Sequence, residues 1–227
     1  MRLIITGCEY SGTSTLAKNV AGWIEETLGP PIPQGMPPFH DHFAFPDIGH
    51  GDLTEEEYVQ VNALSPKLKA MIQNHQILYH LNSAFYADHD NIMVGFHIEN
   101  AVYGPLYYGY EDDGTPQAIA RGVEVEIMRH ARDTIIVHMK ASAEIIASRM
   151  RDNPQPRGVL REEDIELVLR QFEEEYSRSL IRYRFVLDTS ESTPEETFQQ
   201  FLTNVQPLLR EADQVRILAR RAIEPGG

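Results

Sequence analysis

Residues 2–15 decide the fold of this chain, and they run Arg-Leu-Ile-Ile-Thr-Gly-Cys-Glu-Tyr-Ser-Gly-Thr-Ser-Thr. The apolar residues 3–5 predict a short buried strand, and the spacing of the apolar residues over 16–28 predicts a helix. Between them lies a turn rich in glycine, serine and threonine. A strand, a tight turn and a helix in this order are typical of the first unit of an α/β fold.

The turn matches the phosphate-binding motif G-x-x-x-x-G-K-[ST] at three of its four defined positions. Gly7, Gly12 and Ser14 occupy these three positions, whereas Thr13 replaces the lysine. Backbone N–H groups of such a turn and the positive end of the following helix face one anion. The alternative is a turn that binds nothing, because the charge of the lysine is missing. The residues predicted to bind the phosphates are Gly7, Ser11, Gly12, Thr13, Ser14 and Thr15.

Length and composition favour one globular α/β domain. The chain has 227 residues, of which 42% are hydrophobic, and this is enough for one sizeable core. We predict a domain over residues 1–210 and a tail over 211–227. No apolar run approaches the roughly 18 to 20 residues that span a bilayer, the first strand begins at once, and Cys8 is the only cysteine. These features predict a cytoplasmic protein without a membrane partner.

The net charge of −14 excludes duplex nucleic acid as an expected partner, because that binding needs a basic face. Arginines nevertheless concentrate at Arg149, Arg151, Arg157 and Arg161, in a segment that also contains proline and glycine. We predict that residues 149–161 form a lid whose guanidinium groups close over phosphates and compensate for the missing lysine. An ordinary charged loop is the alternative.

Along the chain, predicted strands and helices alternate, which indicates a parallel sheet covered by helices on both faces. The chain end from Arg216 onward is expected to fray. Strands are predicted near residues 2–6, 39–45, 92–97, 134–139 and 183–188, and helices over 13–28, 54–62, 66–87, 116–131, 142–151, 162–180 and 194–210.

Asp41 stands near the end of the second predicted strand. Ligands gather at the carboxyl ends of parallel strands, so Asp41 is a candidate general base or acceptor ligand. Its neighbours His40 and His42, together with His50, also permit a metal site. A polar strand end with histidines facing solvent is the alternative.

Glu99 follows the apolar strand predicted over 92–97. A carboxylate at that place can hold magnesium opposite Ser14, directly or through water. Four tyrosines then fall within residues 101–110. They suit either stacking on a base or the packing of an irregular helix and its loop.

Taken together, these motifs resemble the nucleoside and nucleotide kinases of the phosphate-loop class, with thymidylate kinase and the deoxynucleoside kinases as the nearest shapes. The resemblance spans residues 1–210. It implies a three-layer fold with a five-stranded parallel sheet, an arginine-rich lid, and transfer of the γ-phosphate of ATP. The segments that carry it are residues 7–15, Glu99, residues 149–157 and the Leu187-Asp188-Thr189-Ser190 segment.

The resemblance also implies roles for single residues. The lid arginines, including Arg149, would contact the ATP phosphates, Asp188 would lie near the adenine, and Glu9 would act on the acceptor. The helix over 66–87 would form the face of a homodimer. In that family an arginine usually follows the strand-end acid, whereas Asn100 stands here.

The leading hypothesis is therefore an ATP- and magnesium-dependent phosphotransferase whose acceptor is a nucleoside, a nucleotide or another small hydroxyl compound. Ser14 and Glu99 would hold the magnesium ion. The competing hypothesis is a kinase relative that binds a nucleotide as a sensor without transferring phosphate, and Thr13 and Asn100 favour it. The residues assigned to catalysis are Glu9, Asp41, Arg151 and Arg157, and those assigned to the nucleotide include Arg149 and Asp188.

Overall fold

The computed structural model describes residues 1–29, 39–41, 53–82, 86, 90–111 and 114–223. These residues form the predicted α/β fold, in which helices flank a parallel sheet. The sheet consists of four strands of four to six residues and of β2, an edge strand of three residues. Their order is β2-β3-β1-β4-β5. The strands are β1 (Arg2–Gly7), β2 (Phe39–Asp41), β3 (Asn91–Val94), β4 (Ile135–Lys140) and β5 (Tyr183–Asp188).

Helices connect the strands, as parallel pairing requires. Two short 3-10 turns, Glu162–Asp164 and Gln206–Leu208, precede α7 and follow α8. The helices are α1 (Thr13–Thr27), α2 (Glu55–Asn62), α3 (Pro66–His80), α4 (Phe96–Tyr107), α5 (Thr115–His130), α6 (Ala143–Asp152), α7 (Ile165–Ser177), α8 (Pro194–Val205) and α9 (Glu211–Ile223).

The sheet separates two hydrophobic clusters, because successive side chains of a strand point to opposite faces. In β1, Ile4 belongs to the cluster that contains Phe172 of α7, whereas Leu3 and Ile5 belong to the cluster that contains Phe201 of α8. The first cluster is covered by α3 to α7 and the second by α1 and α8. The molecule therefore has three layers, with the carboxyl end of β1 opening directly into α1.

Helix α4 differs from the sequence prediction, which extended a strand to residue 97. β3 ends at Val94, and Gly95 has a φ of +72° that turns the chain into α4. Residues 96–104 are all buried, so the helix shows no polar face and its apolar run resembles a buried strand. Glu99 consequently lies in the first turn of a helix rather than after a strand.

Helix α9 also differs from the prediction, because we expected the chain to fray from Arg216 onward. Residues 211–223 are helical, and ion pairs hold this helix to the opposite end of the sheet from the α1 N-terminus. Arg216 lies 2.8 Å from the buried carboxylate of Asp90, and Arg210 lies 3.3 Å from Asp133. Among the described residues, no helix has the length and apolar character required to cross a membrane.

The remaining boundaries agree with the prediction to within a few residues where they are described. The predicted second strand extended to residue 45, but residues 42–45 lie outside the described part of the chain. The predicted helix over 194–210 ends earlier, at Val205. The predicted helix over 66–87 is α-helical to His80 and continues as a π-helical turn at residues 81–82, and its residues 83–85 and 87 lie outside the described part of the chain.

Candidate functional site

Residues 7–15, here called the phosphate loop, turn sharply between β1 and α1, and both glycines of the motif are required for this. A Cβ atom on Gly7 would lie 2.5 Å from the carbonyl oxygen of Met139 and 2.7 Å from Oγ of Ser11. Gly12 precedes α1 with a φ of +95°, in the left-handed region that favours glycine. The loop therefore presents the N-terminus of α1, where backbone N–H groups favour an anion.

A cavity of about 1000 Å³ opens in front of this helix terminus. Its walls come from the phosphate loop, from the first turns of α4 and α8, and from residues 149–161, here called the lid segment. Ser14 and Thr15 are exposed towards it. The residues on which the site depends are Glu9, Gly12, Thr13, Ser14, Thr15, Glu55, Glu99, Tyr103, Tyr108, Arg149, Asp152, Arg157 and Thr189.

Glu99 reaches this cavity from α4 by folding its carboxylate over the chain turn that precedes the helix. A Cβ atom on Gly95 would lie 2.1 Å from Cδ and from Oε2 of Glu99. Glycine is therefore required at position 95 for the Glu99 carboxylate to occupy this place. Ser14 lines the same cavity, so the two predicted metal ligands share it, and a hydroxyl and a carboxylate are the hard oxygen ligands that suit Mg²⁺.

The tyrosine cluster of residues 101–110 divides between the cavity and the packing of the protein. Tyr103 and Tyr108 line the cavity. Tyr107 donates a hydrogen bond to Asp164 at 3.1 Å, and Tyr110 donates one to Gln73 at 2.7 Å, so these two tie helices together.

Tyr103 also supports the phosphate loop from below. Its hydroxyl accepts a 2.9 Å hydrogen bond from the backbone N–H of Glu9, and its ring packs edge-on against Phe172 at 5.4 Å between centroids. Burial raises the pKa of Tyr103 well above its ordinary value. Burial likewise raises the pKa of Cys8, whose side chain is fully enclosed, so the loop contains a neutral thiol.

The lid segment is fastened to the phosphate loop by two side chains of the loop. The Glu9 carboxylate accepts hydrogen bonds from the backbone N–H groups of Val159 and Leu160, at 3.0 and 3.1 Å. The hydroxyl of Tyr10 accepts one from the backbone N–H of Gln155 at 3.0 Å. The loop and the lid segment are thus one hydrogen-bonded unit, a link that the sequence did not reveal.

Comparison with known proteins identifies the fold at this point. No protein-family model matches the chain, and no curated protein matches it. The YorR protein from Bacillus subtilis, solved in complex with phosphorylated GDP, is 14% identical over 92% of this chain and 99% of its own, with a TM-score of 0.57. Deoxyadenosine kinase from M. mycoides with bound dATP is 15% identical over 90% of this chain and 99% of its own, with a TM-score of 0.54.

The chain has the fold of the P-loop kinases. This agrees with the resemblance that its motifs carry. At 14–15% identity the likeness concerns the fold alone, and the chemistry depends on where the side chains of this chain lie.

Within this P-loop kinase fold, Arg149 is engaged by the protein itself. Its Nη1 donates to the carbonyl of Tyr10 and to Oγ1 of Thr189, each at 2.9 Å, and its Nη2 donates to the carbonyl of Thr189 at 2.6 Å. Thr189 in turn donates to the carbonyl of Ser11 at 3.1 Å. Arg149 therefore ties the phosphate loop to the end of β5, and desolvation lowers its pKa.

The other lid arginines also have protein partners. Arg151 lies 2.7 Å from the Glu162 carboxylate and does not line the cavity. Arg157 does line it; its Nη2 lies 2.9 Å from Oε1 of Glu55, and its guanidinium lies 4.7 Å from the centre of the Tyr58 ring. The P-loop kinase fold thus brings one of the two predicted catalytic arginines to the cavity.

Asp188 and Asp41 stand at the ends of the two edge strands. Asp188 accepts hydrogen bonds from the backbone N–H and the hydroxyl of Ser190, at 2.9 and 2.6 Å, which lower its pKa, and it does not line the cavity. The backbone of Asp41 is in register with Val94, which lines the cavity.

The predicted histidine metal site depends on His42 and His50, which lie outside the described residues. Within the described part of the chain, no group of three His, Cys, Asp or Glu side chains is placed to hold a metal.

Proposed function

We propose that this protein is an ATP- and magnesium-dependent phosphotransferase that acts on a small hydroxyl compound. The observation that carries the proposal is one cavity shared by the phosphate loop, by Glu99 and by Arg157. Such a site combines an anion-binding helix terminus, oxygen ligands and a cation, and phosphoryl transfer depends mostly on positioning and charge stabilisation.

Arg157 is the cation that we assign to the transferred phosphate in place of the missing lysine. All 20 lysines and arginines lie in the described residues, and among them only Arg149 and Arg157 line the cavity. Arg149 already donates three hydrogen bonds to Tyr10 and Thr189. Arg157 lies on the lid segment, so in this proposal the positive charge comes from the lid segment and the loop contributes its backbone amides.

Ser14 and Glu99 would hold magnesium, and Asp41 would orient the acceptor hydroxyl. When bound, the metal neutralises charge on the phosphate oxygens. Glu9, which the family resemblance placed against the acceptor, holds the lid segment through its carboxylate. We therefore assign Glu9 to positioning of the lid segment.

Calorimetric titration of ATP with and without magnesium tests the proposal. We expect binding in the micromolar range that magnesium strengthens, and Ser14→Ala should abolish the magnesium effect. Ser177→Ala is the matched control, because Ser177 donates a hydrogen bond to the carbonyl of Glu174 on α7 and neither residue lines the cavity. No ATP binding to the wild type at millimolar concentration would refute the proposal.

The second candidate is a nucleotide-binding sensor without transfer activity. The observation that favours it is the engagement of Arg157 by Glu55 and Tyr58, together with the threonine at position 13 of the phosphate loop. Thr13→Lys separates the two candidates. An enzyme built around Thr13 gains little activity or loses some, whereas a decayed site recovers ATP binding.

We also infer that α3 pairs with α3 of a second copy of the chain. Leu68, Met71 and Leu78 are 47–59% exposed and recur along one side of this helix. Light scattering at several concentrations tests this, with Met71→Asp expected to give monomers and Lys67→Asp, on the same helix, to leave the assembly unchanged. A monomer in the wild type would contradict the inference.

A further inference from the structure

We infer that the phosphate acceptor carries no phosphate group of its own and is a small hydroxyl compound of zero or positive charge. This inference rests on the proposed function, because it assumes that a nucleoside triphosphate occupies the phosphate loop. It narrows the acceptor classes that the sequence left open, since it excludes nucleotides.

Few permanent cations line the cavity. The residues outside the described part of the chain contain no lysine and no arginine, so the structure places every such side chain. Arg149 and Arg157 line the cavity, and so do four carboxylates of the described residues. These carboxylates belong to Glu9, Glu55, Glu99 and Asp152.

Both arginines of the cavity already have partners. The terminal nitrogens of Arg149 donate hydrogen bonds to the backbone carbonyls of Tyr10 and Thr189 and to the hydroxyl of Thr189. Arg157 is the cation that the proposed function assigns to the triphosphate, and the Glu55 carboxylate already lies 2.9 Å from it. A second phosphate in the cavity would therefore have no guanidinium left to pair with.

Neighbouring cations do not fill this gap. Lys69 lies 5.9 Å from the centre of the Tyr108 ring, but it does not line the cavity and its Nζ is 3.5 Å from the carbonyl of Asn62. Arg161 lies over the ring of Tyr107, also outside the cavity. Asn100, at the position where the related kinases usually carry arginine, is buried and does not line the cavity either.

The charges that remain therefore oppose a phosphorylated acceptor. A phosphate dianion placed among carboxylates meets like-charge repulsion, without the bidentate pairing that arginine offers. A neutral hydroxyl compound avoids this cost, and an amine on the acceptor would be attracted by Glu55. Tyr103 and Tyr108 add aromatic surface against which a ring can pack.

The test uses matched pairs of acceptors that differ only by a phosphate: thymidine and dTMP, deoxyadenosine and dAMP, glucosamine and glucosamine 6-phosphate. The wild-type protein is first saturated with a non-hydrolysable ATP analogue and magnesium, and each compound is then titrated calorimetrically. The pH is about 8, where histidines at their ordinary pKa are neutral. In parallel, release of ADP from ATP is measured with each compound.

We expect no phosphorylated compound to bind the loaded protein in the micromolar range, and any compound that supports ADP release to be the unphosphorylated member of its pair. Micromolar binding of a monophosphate, or faster ADP release with it, would overturn the inference and leave the proposed function intact. Failure of magnesium-ATP to bind would refute the proposed function instead, and the saturation step shows this before any acceptor is added.

A pair of variants isolates the charge effect. Glu55→Gln removes the carboxylate that faces Arg157 and should strengthen binding of the monophosphates about 2- to 5-fold, as expected for loss of a like charge at an exposed position. Glu56→Gln makes the same change in net charge one position away, at an exposed residue that does not line the cavity. Equal monophosphate binding by the two variants would contradict the inference.

Discussion

The carboxylate of Glu9 accepts a 3.0 Å hydrogen bond from the backbone N–H of Val159, 150 positions further along the chain. The second carboxylate oxygen accepts another from Leu160. A buried backbone N–H must find an acceptor, and here a side chain of the phosphate loop provides it for two successive residues. The position of the lid segment is therefore coupled to the conformation of the phosphate loop.

Glu9→Gln should loosen the lid segment. The amide keeps one oxygen acceptor but turns an NH₂ group towards the second backbone N–H, and hydrogen bonds to charged groups contribute about 1.5–3 kcal/mol. Amide hydrogen exchange at residues 155–160 should accelerate by at least about tenfold. Glu25→Gln, at an exposed position of α1, is the control, and equal exchange in both variants would contradict the coupling.

Gly7→Ala should destabilise the protein, whereas Gly22→Ala should not. The added methyl group at position 7 would lie 2.5 Å from a backbone oxygen of Met139, so β4 or the loop must move. At Gly22, within α1, no atom lies within 4 Å, and alanine is favoured over glycine by roughly 0.5–1 kcal/mol in a helix. Urea unfolding of both variants measures the difference, and similar midpoints would argue against the tight loop.

Arg149→Lys and Arg157→Lys should separate a structural arginine from a functional one. One ammonium cannot reproduce the bonds from Arg149 to both Tyr10 and Thr189, so Arg149→Lys should lower the free energy of unfolding by about 1–3 kcal/mol. Arg157→Lys should leave stability nearly unchanged, because its surface ion pair contributes little. Turnover should fall strongly in Arg157→Lys at saturating ATP. A loss of stability in Arg157→Lys would contradict the assignment of Arg157 to function and not to structure.

The Arg157 side chain offers a sharper kinetic prediction. Arg157→Ala should reduce kcat by at least about a hundredfold, as expected for loss of a charge-stabilising group, while acceptor binding changes much less. Arg151→Ala is the comparison, since Arg151 pairs with Glu162 outside the cavity. Equal losses of kcat and acceptor affinity in Arg157→Ala would be inconsistent with its assignment.

His138 should make stability depend on pH. Its ring is 3% exposed and stacks on Tyr176 at 4.9 Å, and burial lowers its pKa from 6.5 to about 4, although Glu173 at 3.7 Å partly opposes this. The unfolded chain therefore binds the proton first as the pH falls. Stability should decrease between about pH 6.5 and 4, by up to roughly 3 kcal/mol.

Urea unfolding between pH 7.5 and 4.5 checks this dependence. His138→Gln should flatten the part of the slope that His138 supplies. His130→Gln, the same change at a position that is 46% exposed, is the control. A slope that is unchanged in His138→Gln would contradict the assignment.

The sequence predicted those elements whose hydrophobic pattern is clear. β1 was found almost to the residue because it is a short continuous apolar run, α1 because its apolar residues recur at helical spacing, and β5 because apolar residues alternate along it. α4 was missed because it is buried on all sides from Phe96 to Gly104, so that no polar face reveals the helical period. α9 was missed because ion pairs such as Arg216 with Asp90 hold it, and the pairing partners are distant in sequence.

In the candidate site, too, the sequence indicates the local motif but not the contacts between residues far apart in the chain. The glycines and Ser14 of the phosphate loop follow a local motif, and local spacing is visible in a sequence. The engagement of Arg149 by Thr189 and of Glu9 by Val159 joins residues 40 and 150 positions apart. Only the folded chain shows that Arg149 ties the phosphate loop to Thr189 and that Glu9 holds the lid segment.

Because Cys8 is enclosed, the protein suits labelling with a fluorophore at an introduced cysteine. The one native thiol is buried and neutral, and the thiolate is the form that reacts with alkylating dyes. A variant such as Pro154→Cys, at an exposed position of the lid segment, would carry a single labelling point without removal of the native cysteine. A fluorophore attached there would show whether the lid segment moves when nucleotide and acceptor are added.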